Sequence, residues 1–125
     1  MMWMTVVYLF AALAITLQTS AQTIFTFDAP GAGTGAGQGT FADSINPKGE
    51  IAGFSRDSAS VRHGYVRSAK GDFTTFDAPG AGNATDSFQG TQATANNPSG
   101  KITGSYVDSG NLQHGFLRTP KSEED

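Results

Sequence analysis

The chain contains two histidines, and each stands in the same short sequence context. His63 opens His-Gly-Tyr and follows Asp57, while His114 opens His-Gly-Phe and follows Asp108. Imidazole titrates near neutral pH, so a histidine beside carboxylates is suited to acid–base catalysis or to metal binding. An active site, however, needs groups with different roles that converge on one point, and these two residues hold equivalent positions. The pattern favours a structural role for both, such as a hydrogen bond to a neighbouring turn.

Four of the acidic residues recur at equivalent places. Asp28 and Asp77 each precede Ala-Pro-Gly-Ala-Gly. Asp57 and Asp108 are each the first residue of a loop, and each is directly followed by Ser. Asp in such places caps a turn by bonding its own backbone. The D-x-D-x-D-G spacing of a calcium loop is absent from the sequence, so we predict no metal site.

Three further acids, Asp43, Glu50 and Asp86, have no acidic equivalent in the other half of the chain. A glycoside hydrolase needs two carboxyl groups at one site, and it would have to draw them from these three. Their spacing does not favour such a pair. We expect them to be exposed charges, and we predict no catalytic residue.

Two aromatic residues also break the pattern. Phe41 and Phe88 have no aromatic counterpart, and they lie near the loop whose length differs between the two halves. With Asp86 they form a candidate set of ligand contacts, as in a carbohydrate-binding protein.

The glycine-rich stretch at 31–39 satisfies a loose dinucleotide-binding pattern, but that pattern requires a following helix, which this sequence does not predict. No cofactor is therefore expected.

These residues belong to an internal repeat. The peptide Phe27–Gly33 returns as Phe76–Gly82, and His63–Arg67 returns as His114–Arg118. Repetition of this kind indicates stacked copies of one supersecondary unit. We name the segments copy one, about 25–72, and copy two, about 73–119, and together they form a predicted β-repeat domain at 22–119.

Turn signals divide each copy into short strands. Asn46-Pro47-Lys48-Gly49 and Asn97-Pro98-Ser99-Gly100 have the residue preferences of a type I turn. The pattern predicts strands at about 40–45, 50–56, 62–68 and 73–77, and at about 91–96, 101–107 and 113–119. An early Phe-Thr-Phe-Asp at 25–28 would supply an eighth strand, because β-propellers often close by such a circular shift. Each copy is thus predicted to form a four-stranded antiparallel meander. The apolar residues expected on the buried face are Ile51, Phe54, Tyr65, Val66, Ile102, Tyr106, Phe116 and Leu117.

The N-terminal segment predicts export. Residues 1–21 lack charged side chains and contain an apolar run from Val6 to Leu17, which is typical of a signal peptide that forms a short helix. We expect cleavage before Gln22 and a secreted, extracellular or periplasmic protein, with membrane contact only through the uncleaved segment.

Composition limits the partners. The net charge is −3, and the acidic tail at 120–125 carries much of it, so no basic surface for nucleic acid is expected. The chain has no Cys, and a small exported fold without disulfides needs well-paired backbone or an oligomer for stability. A homo-oligomer formed through exposed sheet edges is one predicted partner, and an extracellular glycan or protein is another.

The pattern N-P-x-G-x-I-x-G, then D-S, His-Gly-aromatic and F-T-x-F-D-A-P-G-A, resembles the HAF family of bacterial extracellular repeats. The likeness extends over both copies, with Gly64 and Gly115 where the family has Ala. It implies an exported, propeller-like β protein without established catalytic residues.

The sequence therefore predicts an all-β protein of two tandem four-stranded meanders that acts as a non-enzymatic structural or binding module. A lectin-like binder or a carbohydrate-active enzyme on the same scaffold is the alternative. Three arrangements remain open: a face-to-face sandwich, a ring assembled from several copies, and a shortened relative of a longer propeller.

Overall fold

The computed structural model describes residues 21–121, and all regular structure in this range is β. Seven strands occur, and no helix is found among them. The strands are β1 (Gly39–Ile45), β2 (Ile51–Arg56), β3 (Arg62–Arg67), β4 (Phe73–Phe76), β5 (Gly90–Asn96), β6 (Ile102–Val107) and β7 (Gln113–Arg118). The predicted signal helix and the last four residues of the acidic tail lie outside the described residues. All seven predicted strands that follow residue 29 are present.

Between residues 21 and 121 no helix is long and apolar enough to cross a membrane.

The strands form one curled sheet in the order β1-β2-β3-β5-β6-β7, with β4 also paired to β3. Strands β1 to β4 pair antiparallel in sequence, and so do β5 to β7. A single parallel bridge between Arg62 and Gly90 joins the two groups. Strand β3 accommodates both neighbours because β4 pairs with residues 64–67 and leaves the first residue of β3 to β5. The two predicted meanders thus belong to one sheet, and the second of them has three strands.

The predicted strand at 25–28 was also wrong, because these residues have no strand assignment. No other strand of the described range pairs with their backbone. Their aromatic side chains pack instead, since the Phe27 ring lies 6.3 Å from the Tyr65 ring and 6.0 Å from the Phe73 ring.

The two Asn-Pro turns are confirmed. The amide of Gly49 donates to the carbonyl oxygen of Asn46 at 3.0 Å, and the amide of Gly100 donates to that of Asn97 at 3.0 Å. The Asn46 side-chain oxygen also accepts from the amides of Lys48 and Glu50, at 3.1 and 3.0 Å. These bonds are the local reason that Asn begins each turn.

The centre of the core is formed by residues of β2, β5 and β6. They are Ala52, Ala93 and Ile102, which are fully buried, and Val66, Phe76 and Phe116 pack around them. Small residues let the strands approach closely. At Gly53 an added Cβ would overlap the Phe41 carbonyl oxygen, and at Gly104 it would overlap that of Gln92.

Polar side chains tie the two groups of strands together across this core. The Ser44 hydroxyl bonds the Asn96 side chain at 2.6 Å, and the Asn96 amide group donates to the Glu50 carbonyl oxygen at 2.9 Å. The Asn46 amide group donates to the Asn97 carbonyl oxygen at 3.0 Å.

Leu117 is an exception to the predicted core. It is 62% exposed, whereas its counterpart Val66 packs on the core. The difference arises because Val66 lies on an interior strand, while β7 is the last strand of the sheet.

Candidate functional site

His63 is held between two carboxylates. Its Nε2 lies 2.8 Å from Asp57 Oδ2, and its Nδ1 lies 2.8 Å from Asp77 Oδ1. A neutral imidazole has only one N–H, so the doubly protonated ring is the form that donates to both partners. We call Asp57, His63 and Asp77 the histidine clamp.

The turn before β3 positions the first carboxylate. Asp57 Oδ1 accepts from the amides of Ala59 and Val61, at 2.8 and 3.0 Å, which leaves Oδ2 for His63. The second carboxylate comes from the residue after β4, and the antiparallel pairing of β4 with β3 brings it beside the ring. The predicted turn capping is confirmed for Asp57, whereas the side chain of Asp77 bonds the histidine.

The charges of the clamp shift the pKa values of its members. Partial burial lowers the pKa of His63, but the hydrogen bonds and charges of Asp57 and Asp77 outweigh it and hold that pKa above its ordinary value. For Asp57, burial raises the pKa, and the bonds from His63, Val61 and Ala59 together bring it below the ordinary value.

A cleft of about 360 Å³ opens beside the clamp. It is lined by Pro30, Gly31, Asp57, His63, Thr75, Phe76 and Asp77. A general base must have a ring nitrogen free to take a proton from the substrate. Both nitrogens of His63 face carboxylates, so the ring links the turn at Asp57 to the end of β4.

His114 makes the equivalent bond in copy two. Its Nε2 lies 2.8 Å from Asp108 Oδ2, and Asp108 Oδ1 accepts from the amides of Gly110 and Leu112 at 2.9 Å. The bond from His114 and those from the backbone lower the pKa of Asp108. Within residues 21–121 no group of three His, Cys, Asp or Glu side chains is arranged to hold a metal ion.

The candidate ligand residues lie in a second region, which is formed by strands β1 to β3 and the loop at 83–89. Phe41 is stacked on Phe54 with the ring centroids 4.5 Å apart. Phe88 is 58% exposed, and the guanidinium of Arg56 lies 4.7 Å from its ring centroid. Arg62 lies 5.8 Å from the Phe88 ring and 5.7 Å from the Phe54 ring. We call these five residues the aromatic–arginine surface.

The structure therefore brings Phe41 and Phe88 into one neighbourhood and adds two arginines that the sequence reasoning missed. A signal for them existed, because Arg56 and Arg62 align with Val107 and Gln113 in copy two and so depart from the repeat. Asp86 contributes to the loop, where its amide donates to the Ala59 carbonyl oxygen at 2.9 Å.

Phe88 has an unusual backbone. Its φ is +61°, in the left-handed region that favours glycine. Its counterpart in copy one is Gly37, which has a φ of +75°. The turn requires this conformation in both copies, and copy two places a bulky side chain where copy one has none. Strain of this kind costs about 1–3 kcal/mol and is typical of functional positions.

The two arginines concentrate positive charge at this surface. Burial and the charge of Arg56 lower the pKa of Arg62. Arg56 donates to the Gly37 carbonyl oxygen at 3.0 Å, and Arg62 donates to the Gln92 side chain at 3.2 Å. Each guanidinium has further N–H groups, and two like charges at close range are stabilised when an anion binds between them.

The remaining acids have separate environments. Asp43 is the extra residue of a β-bulge in β1, and burial raises its pKa. Burial and the charge of Asp43 raise the pKa of buried Tyr65 to about 12. Glu50 accepts a bond from the Asn46 side chain at 2.8 Å.

No family model matches the chain, and neither a curated protein nor a solved structure shows significant similarity to it.

Proposed function

We propose that this chain is a secreted, non-enzymatic β-repeat protein that acts as an extracellular structural or binding module. One observation carries the proposal: each histidine is bonded to the aspartate that caps the preceding turn, with the same atoms and the same 2.8 Å distance. In both copies a histidine thus ties a capped turn to the following strand, and in copy one it also bonds Asp77.

The proposed architecture is a pair of propeller-blade-like units. Further equivalent bonds support it, since the amide of Ala29 donates to the Thr40 hydroxyl and that of Ala78 to the Thr91 hydroxyl, both at 2.9 Å. The signal peptide and the likeness to HAF repeats support export, and both remain predictions.

Incubation of the purified protein with a panel of polysaccharides, followed by assay of reducing ends, tests the absence of enzymatic activity. We expect no turnover above that of heat-denatured protein. Hydrolysis that is lost on Asp43→Asn, Glu50→Gln or Asp86→Asn, but not on a matched Asp72→Asn control, would refute the proposal.

The geometry also favours a second candidate function, which is carbohydrate binding at the aromatic–arginine surface. Phe88 supports it, because copy two places an exposed ring in a left-handed backbone conformation where copy one has Gly37. Aromatic rings offer an apolar face to sugars, and Arg56 and Arg62 would pair with carboxylate or sulfate groups. The ligand class is therefore an acidic glycan.

The variant Phe88→Gly tests this assignment, because it converts the position to the residue of copy one. We expect it to raise the free energy of unfolding by about 1 kcal/mol through strain relief. We also expect it to weaken binding of an acidic polysaccharide, such as polygalacturonate, about tenfold or more in calorimetry.

Leu112→Ala removes a similarly exposed apolar side chain elsewhere, and it should leave binding unchanged. A neutral polysaccharide of the same length should bind far more weakly, and added salt should reduce the affinity for the acidic one. Equal binding by Phe88→Gly and the parent protein would exclude this surface as the site.

A further inference from the structure

The edge of β7 that does not pair with β6 is equivalent to the edge of β3 that pairs with β4. In copy one, β3 is covered on that edge by β4, with Gly64 opposite Phe76 and Val66 opposite Thr74. Strand β7 is the equivalent of β3, and among residues 21–121 only β6 pairs with it. Its unpaired backbone groups form a template for another strand.

The space beside the equivalent glycine differs between β3 and β7. A Cβ added at Gly64 would lie 2.7 Å from the Phe76 ring, so glycine is needed there because Phe76 covers it. The equivalent Gly115 has open space, and the nearest atom to an added Cβ is the Gly104 carbonyl oxygen at 3.9 Å. The described contacts of this chain therefore do not explain why residue 115 is glycine.

The histidines show the same difference. His63 has carboxylates at both ring nitrogens, and the second is Asp77, which directly follows β4. His114 has one carboxylate, Asp108, within the described range. A strand like β4 on the edge of β7 would bring a second aspartate to His114.

Residues 24–28 have the features of a strand that would cover this edge. Ile24-Phe25-Thr26-Phe27-Asp28 aligns with Phe73-Thr74-Thr75-Phe76-Asp77. The two segments also dock alike on the unit that follows them. The Phe27 and Tyr65 rings are 6.3 Å apart at 83°, and those of Phe76 and Phe116 are 5.9 Å apart at 76°. Ile24 and Phe25 remain 75% and 70% exposed.

We propose that residues 24–28 of one copy of the protein pair with β7 of a second copy, as β4 pairs with β3. Phe27 then covers Gly115, Phe25 lies opposite Leu117, and Asp28 bonds the free nitrogen of His114. The occupant of the edge is thus a second copy of this chain. The apolar exposure of Phe25 and Leu117, 70% and 62%, is removed by the same contact.

The two surfaces differ, so the contact is head-to-tail and repeats from copy to copy. It either closes into a ring or continues as a fibre. Propellers have about four to eight blades, so a closed ring of two-unit chains would contain about two to four copies.

The first test is the mass of the purified protein in solution, by light scattering at concentrations up to about 100 µM, where a micromolar contact is saturated. We expect a mass of at least two copies. Gly115→Ala should raise the dissociation constant at least tenfold with an unchanged melting temperature, because the methyl group fills the place of the incoming Phe27 ring. Asp28→Ala should weaken association about tenfold.

Gly64→Ala is the matched control. It should lower the melting temperature, because the clash with Phe76 lies within one chain, and it should leave the contact at β7 in place. A monomeric parent protein would overturn the proposal. So would a Gly115→Ala variant that assembles like the parent protein or loses as much stability as Gly64→Ala.

The natural absence of cysteine allows the register to be tested directly. The pair Phe25→Cys and Leu117→Cys should form disulfides between chains on mild oxidation, because opposed strand residues lie within disulfide range. Phe25→Cys with Leu112→Cys is equally exposed and should not. Cross-linking by Leu117→Cys alone would show β7 pairing with itself and would refute the proposed partner. Failure of these tests would leave the proposed function standing, because none of them depends on a ligand or on turnover.

Discussion

Replacing His63 by glutamine removes the only positive charge of the histidine clamp and keeps a side chain of similar reach. Asp57 and Asp77 then face an uncharged amide in place of an imidazolium. We expect a loss of stability that depends on pH, because the strength of the clamp depends on the protonation of its three members.

The size of the loss in stability depends on how exposed the three side chains of the clamp are. The His63 and Asp57 side chains are 32% and 29% exposed, and that of Asp77 is 59% exposed. A hydrogen bond to a charged partner contributes about 1.5–3 kcal/mol when it is shielded, and exposed ion pairs contribute about 0.2–1 kcal/mol. We therefore expect about 1 kcal/mol from Asp57 and a few tenths from Asp77. For a domain of this size such a loss lowers the melting temperature by roughly 4–8 °C.

The pKa shifts give the pH range. The pKa of His63 is raised above 6.5, so its stabilisation is complete below that pH and is lost as the pH rises through the folded-state value. The pKa of Asp57 is lowered below 3.8, so its stabilisation is complete above that pH and is lost as the pH falls through the folded-state value. The effect of His63→Gln should be largest between these two limits.

Thermal unfolding of both proteins, followed by circular dichroism at about pH 5.5 and pH 9, measures this difference. We expect the larger shift in melting temperature at pH 5.5 and less than half of it at pH 9. His114→Gln, measured in dilute protein where the chains are not paired through β7, is the control, and it should cost less because His114 has one carboxylate partner in the described range. Equal shifts at the two pH values would refute the imidazolium clamp.

Two further predictions concern the buried parts of the sheet. Tyr65→Phe should lower the free energy of unfolding by about 1–2 kcal/mol, measured by urea denaturation, because the buried hydroxyl donates to the Phe41 carbonyl oxygen at 2.9 Å. A change under a few tenths of a kcal/mol would show that this bond is not needed. Gly53→Ala and Gly104→Ala should each cost about 2 kcal/mol or more in the same assay, since each added methyl group would overlap a carbonyl oxygen of the adjacent strand. If Gly53→Ala were as stable as the parent protein, the close approach of β1 and β2 would be wrong.

The strands were predictable because their ends carry strong local signals. The Asn-Pro and Asp-Ser turns act within four or five residues, and their hydrogen bonds are formed by the side chains that the sequence displays. The pairing of β3 with β5 was not predictable, because it is a single bridge set by how two meanders pack. The strand predicted at 25–28 was wrong for a similar reason. A strand needs a neighbouring strand to pair with, and sequence pattern alone does not identify that partner.

The candidate sites were predictable to different degrees. The bond of each histidine to a turn followed from their equivalence, but Asp77 as the second partner of His63 depends on the register of β4. Phe88 was recognisable as a departure from the repeat. Its strained backbone became visible only when the structure showed that Gly37 and Phe88 share a left-handed conformation.

The bridge between Arg62 and Gly90 has a mechanical consequence. Every other strand pairing in the described sheet involves at least four residue pairs, whereas this one involves a single pair. Strand pairing therefore contributes little to the contact between the two meanders, which depends mainly on the shared core and on the side-chain bonds of Asn46 and Asn96. A small rotation of one meander relative to the other would therefore break few backbone hydrogen bonds.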